Sequence, residues 1–284
     1  MKVGIVGAGP AGLTLAHALL TLPGKSVTVS VYDSSDALRP SLGGGLQLSC
    51  GAGALQRLGL DVSKIATPIR SVLSRRAADR RTLLSIDVQA AMLEAGATMV
   101  PPAASDGAFA IMRDQLQQLL ASELPPSALC LGRTVAAVAP RKGGGATLSF
   151  ADGSADEDVD CGHLTELAGS TLRTSPQPCF SLVLLTRAQE TCTVTHASRD
   201  SATNIDTCQV DLVCGCDGIR SVVKSYVSPN EPPASYSGVK VLLAVATAGS
   251  RPLGAETAFH QWLGDGAYEG RHSTTLNNTR TCPR

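Results

Sequence analysis

Residues 3–33 hold the feature that most constrains this chain: a short apolar strand, a three-glycine turn, a helix and a second strand ending in an acid. Val3-Gly4-Ile5-Val6 is apolar throughout, as strands buried on both faces of a parallel sheet are. Gly7-Ala8-Gly9-Pro10-Ala11-Gly12 follows at once as G-x-G-x-x-G. Leu13, Ala16 and Leu20 then share one helical face, and Pro23-Gly24 stops that helix. Val27, Val29 and Val31 alternate along a second strand from Ser26 to Tyr32, which ends at Asp33. Gly7 permits the tight turn, Gly9 lets the backbone approach a pyrophosphate with no Cβ in the way, and Gly12 permits close packing of helix on strand. The helix opening at Pro10 and Ala11 turns free N–H groups and a positive dipole end toward phosphates. Asp33 lies 21 residues after Gly12, where a carboxylate accepts hydrogen bonds from ribose hydroxyls. These parts together predict dinucleotide binding. They leave FAD and NAD both open.

Composition narrows the class of ligand. The 284 residues suffice for one large domain or two intertwined smaller ones. Aromatic residues are only 3% of the chain, so the core is built mainly from Ala, Val and Leu. The 24 basic and 24 acidic side chains cancel, which is not the footprint of a nucleic-acid or membrane-surface binder. A small-molecule partner is expected instead. Nine cysteines cannot all pair within one chain; Cys161, Cys179, Cys192, Cys208, Cys214 and Cys216 fall at irregular gaps, without the paired spacings of a zinc site. No metal is expected. No apolar run reaches the roughly 18 residues a membrane span needs, and a cytoplasmic location is favoured. Lys2, the apolar stretch and Ala16-His17-Ala18 imitate a signal peptide, but cleavage there would destroy the glycine turn.

Three later segments bear on the cofactor. Gly43-Gly44-Gly45-Leu46-Gln47-Leu48 leads into Ala54-Leu55-Gln56-Arg57-Leu58-Gly59-Leu60. Ala110-Ile111-Met112-Arg113-Asp114-Gln115-Leu116 opens a helix whose Leu116, Leu119 and Leu120 share a face. Asp211-Leu212-Val213-Cys214-Gly215-Cys216-Asp217-Gly218 runs as a strand into an acidic glycine turn, followed by Ile219-Arg220-Ser221 and, three residues on, Lys224. In this order and spacing the segments resemble those of FAD-dependent monooxygenases of the aromatic-hydroxylase type, over residues 1–153 and 209–268. Cys216 replaces the usual Ala, and Lys224 the usual Arg.

The resemblance implies an α/β, Rossmann-like FAD-binding fold with a mostly parallel sheet, and a β-sheet substrate roof carrying Val239–Ala246 and Glu256–Leu263. It places residues 1–70 and 105–232 in the FAD-binding domain, and 71–104 with 233–268 in a partial substrate domain. FAD would be held by Gly7, Gly9, Pro10, Ala11, Gly12, Asp33, Arg113, Asp217 and Gly218, with Gly215 and Gly218 letting the backbone pass close to the pyrophosphate. NAD(P)H would be the co-substrate, and oxygen and a small organic substrate the reactants. The implied activity is monooxygenation, with a reductase or halogenase on the same fold as alternatives. No Ser-His-Asp arrangement or carboxylate pair stands out, so the chemistry falls to the cofactor and no side chain is assigned as catalytic.

The chain also departs from that pattern. Residues 154–208 interrupt the passage from Phe150-Ala151-Asp152-Gly153 to the strand at Asp211, and read as a disordered insertion or an unspliced or misassigned coding segment. Gly264-Asp265 sits in a strand and hairpin and is not the later Gly-Asp flavin motif of the family. Residues 269–284 are a polar tail. A C-terminally incomplete, non-catalytic FAD-binding fragment is therefore the other functional expectation. Elsewhere, His17 reads as packing on the first helix, and His260 with Trp262 as a half-buried strand face that could also line a substrate cavity. Arg75, Arg76, Arg80 and Arg81 read as a solvated hairpin.

Overall fold

The computed structural model describes residues 1–38, 44–49, 51–94, 108–151, 207–238, 258–265 and 267–271. The chain begins with β1 (Lys2–Val6), α1 (Pro10–Leu20), β2 (Thr28–Asp33), β3 (Gly45–Leu48), α2 (Gly51–Arg57), β4 (Ala66–Ile69), β5 (Ser71–Arg76) and β6 (Thr82–Asp87). It continues through α3 (Val88–Glu94), β7 (Ala108–Met112), α4 (Arg113–Ser122), β8 (Leu129–Leu131), β9 (Val135–Pro140) and β10 (Ala146–Phe150). Last come β11 (Thr207–Val210), β12 (Leu212–Gly215), α5 (Val222–Val227), β13 (Ala258–Leu263) and β14 (Tyr268–Arg271). The elements divide into two units, Met1–Leu38 with Ala121–Ser237, and Arg39–Leu120 with Gly238–Arg284.

The first unit is mixed α/β around a four-stranded sheet in the order β12-β1-β2-β8. All three pairings are parallel, with Val3 beside both Leu212 and Val29, and Tyr32 beside Cys130. The neighbours expected from sequence, Val3–Val6 and Leu212–Cys214, are indeed adjacent strands. The three-residue β8 was not foreseen. α1 packs on β1 and β2, while α5 packs on β12 and on β9. A smaller antiparallel sheet, β11-β10-β9, closes over the parallel one. Its Leu148 and Val210 side chains approach Gly4 so closely that a Cβ there would lie 3.1 and 3.2 Å from them. Thr207 and Cys208, expected within the 154–208 insertion, are instead part of β11 and pair with Ser149 and Leu148.

Between these sheets lies a core of Val6, Tyr32, Val135, Leu148, Phe150, Val210, Val213 and Val223. The Tyr32 and Phe150 rings meet at 5.0 Å between centroids, tilted by 54°, and the Arg133 guanidinium lies 4.3 Å above Phe150. Each large apolar side chain buried here stabilises the unit by about 1.5–3 kcal/mol, so a core poor in aromatics still holds.

The described residues of the second unit form two sheets. In one, β7 pairs antiparallel with β3 and β4. In the other, the order is β14-β13-β5-β6, with β13 parallel to β5 and the remaining pairs antiparallel. β3, β4 and β7, which the sequence reading places with the dinucleotide-binding part, pair with one another in this unit. Ala110-Ile111-Met112 was read as the start of a helix but forms strand, and the helix starts at Arg113. The arginines at 75–81 do form a hairpin, β5–β6, with Arg80 at φ 59 in the turn. Gly264-Asp265 lies in the β13–β14 turn, where the Gly264 N–H donates to the Ala267 carbonyl at 2.8 Å. Val239–Ala246 lies outside the described residues. Among the described residues no helix is long and apolar enough to cross a membrane.

Candidate functional site

Three strand ends of the first unit converge on one turn. β1 ends at Val6, and Gly7 leaves it at φ 104, its N–H donating to the Tyr32 carbonyl of β2 at 2.7 Å. On the other side, the Cys216 N–H donates to the Val6 carbonyl at 2.7 Å, so the end of β12 is tied to the same point. A Cβ on Gly7 would strike the Cys216 carbonyl and lie 2.9 Å from the Asp217 nitrogen. One on Gly12 would strike the Gly7 carbonyl and lie 3.3 Å from the Cys216 Cβ. Two of the three motif glycines are thus required by the protein's own backbone. This arrangement seats the N-terminus of α1, with Gly9 as its cap residue and Pro10 in its first turn. Gly9 and Pro10 are half-buried and Ala11 is exposed. First-turn N–H groups have no carbonyl to meet within a helix, and of these residues Ala11 is exposed while Gly12 is buried.

Asp33 completes this end of the sheet. Its Oδ2 accepts from the Ala8 N–H at 2.8 Å and its Oδ1 from the Ser35 N–H at 2.9 Å. A carboxylate offers about four lone-pair directions, so both oxygens keep capacity for a ligand. The Arg133 N–H, missed in the sequence, holds the Asp33 carbonyl at 2.8 Å.

Asp217 is committed differently. Its Oδ1 accepts from the Ser221 hydroxyl at 2.5 Å and its Oδ2 from the Val222 N–H at 2.7 Å. Ser221 in turn caps α5, accepting from the Lys224 N–H at 2.9 Å. Gly215 stands against Val223, whose Cβ would be 2.8 Å from an added methyl, so its small size lets α5 close on β12. Gly218 has φ 79 with no heavy atom within 4 Å of a Cβ position. Gly7, Gly9, Pro10, Ala11, Gly12, Asp33, Asp217 and Gly218 therefore gather in one unit. Arg113 belongs to the other, at the head of α4, where its N–H donates to the Gly44 carbonyl at 3.2 Å.

Two thiols border the turn. Burial pushes Cys214 up to about 11 from the ordinary 9.0, with Cys216 adding to it; burial also pushes Cys216 up to about 11, with the Asp217 carboxylate adding to it. A thiol that ionises later in the folded chain than in the unfolded one contributes stability fully below the unfolded value and loses it above. The urea midpoint is therefore expected to fall as pH rises from 9 through 11. In Cys214→Ala that fall should be shallower; an identical slope would remove the thiol from this account. Among the described residues no three His, Cys, Asp or Glu side chains are grouped to hold a metal ion.

The second unit has a cavity of about 290 Å³, lined by Gln47, Ser49, Ile69, Val72, Val88, Met92, Ala108 and Phe259. His260 and Trp262 do not line it. They stack on each other at 5.8 Å, and Arg75 Nη1 stands 2.9 Å from His260 Nδ1. A guanidinium only donates, so that imidazole nitrogen accepts.

No family model matches the sequence. No curated protein matches it. Its fold is shared with solved structures, among them HpxO of Klebsiella pneumoniae complexed with FAD and uric acid, at TM-score 0.62 and 16% identity over 97% of this chain and 54% of that one. A second is 2,6-dihydroxypyridine-3-hydroxylase from Arthrobacter nicotinovorans, at TM-score 0.50 and 16% identity over 84% and 41% of the two chains. A third is the flavin-dependent monooxygenase PieE in complex with FAD and substrate, at TM-score 0.50 and 16% identity over 80% and 32%. The chain spans about half the length of the HpxO structures. At these identities the likeness establishes the fold, a mixed α/β arrangement found in FAD-bound proteins.

Proposed function

We propose that this chain binds FAD and serves NAD(P)H-dependent monooxygenation of a small organic substrate. One observation carries the reading: the ends of three adjacent parallel strands bring a glycine turn, a helix N-terminus and the Asp33 carboxylate to one place. Ligands of open α/β sheets bind outside such carboxyl ends. The residues fit the group. The first-turn N–H groups of α1, beginning at the exposed Ala11, would take the pyrophosphate, as helix N-termini do. Asp33, positioned by Ala8 and Ser35, would take the adenosine ribose. The Asp217 carboxylate would act by holding Gly218 and α5 in place. When bound, FAD would pass electrons from reduced nicotinamide to oxygen so that one oxygen atom enters the substrate. The chain's share is to orient the cofactor and to exclude water.

A flavin absorption band on the purified protein separates this reading from an NAD-binding dehydrogenase. Asp33→Ala is expected to weaken FAD by about tenfold to a hundredfold, from the loss of charge-assisted bonds of about 1.5–3 kcal/mol. Flavin fluorescence titration reads this, and an unchanged affinity removes the ribose role. The variant also surrenders two bonds within the chain, so its denaturation midpoint should drop as well. With isotopically labelled oxygen, the label should appear in the product; its absence excludes monooxygenation.

A further inference from the structure

We propose that Arg133 is a positioning residue for Asp33: its guanidinium, seated on Phe150, anchors the backbone segment that fixes where the carboxylate points. The proposal rests on the reading of Asp33 as the acceptor for the adenosine ribose, and adds to that site a residue acting through another.

A charge taken out of water is costly unless something in the protein receives it. Arg133 is only 8% exposed, and its Cζ lies 4.3 Å from the centre of the Phe150 ring. There the negative face of the ring holds a desolvated cation. The same ring meets Tyr32, the residue before Asp33, at 5.0 Å between centroids. The backbone repeats the link. The Arg133 N–H donates to the Asp33 carbonyl at 2.8 Å, and the Gly132 N–H to the Ser35 carbonyl at 2.8 Å. The Ala151 N–H donates to the Thr134 carbonyl at 2.9 Å. Residues 132–134 are thus pinned to Phe150-Ala151 by side chain and main chain together.

The consequence falls on the carboxylate. Asp33 Oδ2 accepts from the Ala8 N–H at 2.8 Å, which ties that oxygen to the glycine turn. Oδ1 accepts from the Ser35 N–H at 2.9 Å, and Ser35 is the residue that Gly132 holds. One oxygen is therefore set by the glycine turn and the other by the segment that Arg133 anchors. When the guanidinium leaves Phe150, Ser35 is free to shift and the carboxylate keeps only the Ala8 bond. Hydrogen bonds weaken steeply when misaligned, so a ribose would be held less well.

The test compares Arg133→Met, which keeps the stem and removes the cation, with Arg133→Lys in the whole chain. Arg133→Met should weaken FAD by about tenfold in flavin fluorescence titration, the loss of a desolvated cation–ring contact. Arg133→Lys should fall between it and the parent, since an ammonium keeps the charge and loses the planar stack. Added to Asp33→Ala, Arg133→Met should cause no further loss, because nothing is left to position. Hydrogen exchange in the ligand-free chain is the second readout. The Ser35 N–H should exchange faster in Arg133→Met, and less so in Arg133→Lys. Phe150→Leu removes the seat and leaves the arginine, so it should repeat the Met pattern, and it carries the test where Arg133→Met does not fold. Unchanged Ser35 exchange, unchanged FAD affinity, or losses that multiply in the double variant overturn the proposal. If the parent binds no FAD, or Asp33→Ala binds it unchanged, while Ser35 exchange responds, the ribose reading falls and the positioning of the carboxylate stands.

Discussion

Gly7→Ala is expected to lower the unfolding free energy by about 3 kcal/mol and to weaken FAD by more than about a hundredfold, from two separate causes. The first is conformational: Gly7 sits at φ 104, where a side chain costs about 1–3 kcal/mol. The second is a collision of the new methyl with the Cys216 carbonyl. Both partners are backbone, so relief requires parting β1 from β12, and overpacking of this kind costs about 1–3 kcal/mol. Gly24→Ala separates the two causes. Gly24 also has positive φ, 70, but nothing lies within 4 Å of its Cβ position, so it should lose only the conformational part. Urea denaturation reads stability and flavin fluorescence reads affinity. If Gly7→Ala is no worse than Gly24→Ala, the close approach to Cys216 does not demand glycine.

Asp217→Ala should come next, at about 3 kcal/mol, because it removes two charge-assisted bonds worth about 1.5–3 kcal/mol each before relaxation. Ser221 and the Val222 N–H lose their acceptor together, and α5 loses the residue that holds its first turn. Asp217→Asn retains one oxygen and should lose about half as much. Hydrogen exchange at Val222–Val227 is the discriminating readout. Faster exchange there, together with weaker FAD, is the outcome for a residue that positions the turn. Unchanged exchange with FAD lost would show that the carboxylate acts on the ligand directly.

What could be read from sequence was whatever is specified locally. β1, the glycine turn, α1 and β2 occupy the 32 consecutive residues from Lys2 to Asp33, and period, glycine spacing and the terminal acid all agree there. β12 was legible for the same reason, an apolar run ending in an acidic glycine turn. Ala110-Ile111-Met112 was misread because a short apolar run has no period of its own. Its strand character comes from pairing with Gly45–Gln47 on one side and Ala66–Thr67 on the other. β8 is three residues long and exists because β2 offers an edge. The bonds of Asp217 were invisible for a subtler reason. An acid four residues before a serine is ordinary in sequence, and only the fold turns both oxygens inward. The cavity could not be read at all, since its walls come from strands and a helix scattered between residues 47 and 259.

The pairing of β1 with β12 also governs how the protein can be made. The Lys2 N–H donates to Asp211 Oδ2 across a separation of 209 residues. A ribosome adding about 5–20 residues per second releases β12 roughly ten to forty seconds after β1. Throughout that interval the nascent chain carries Val3-Gly4-Ile5-Val6 with one edge bare, and an apolar strand with a bare edge recruits other chains. The seat of Gly7 is the Cys216 carbonyl, so the turn at the chain's beginning is among the last parts to set. The glycine turn therefore cannot take its final form until residue 216 has emerged.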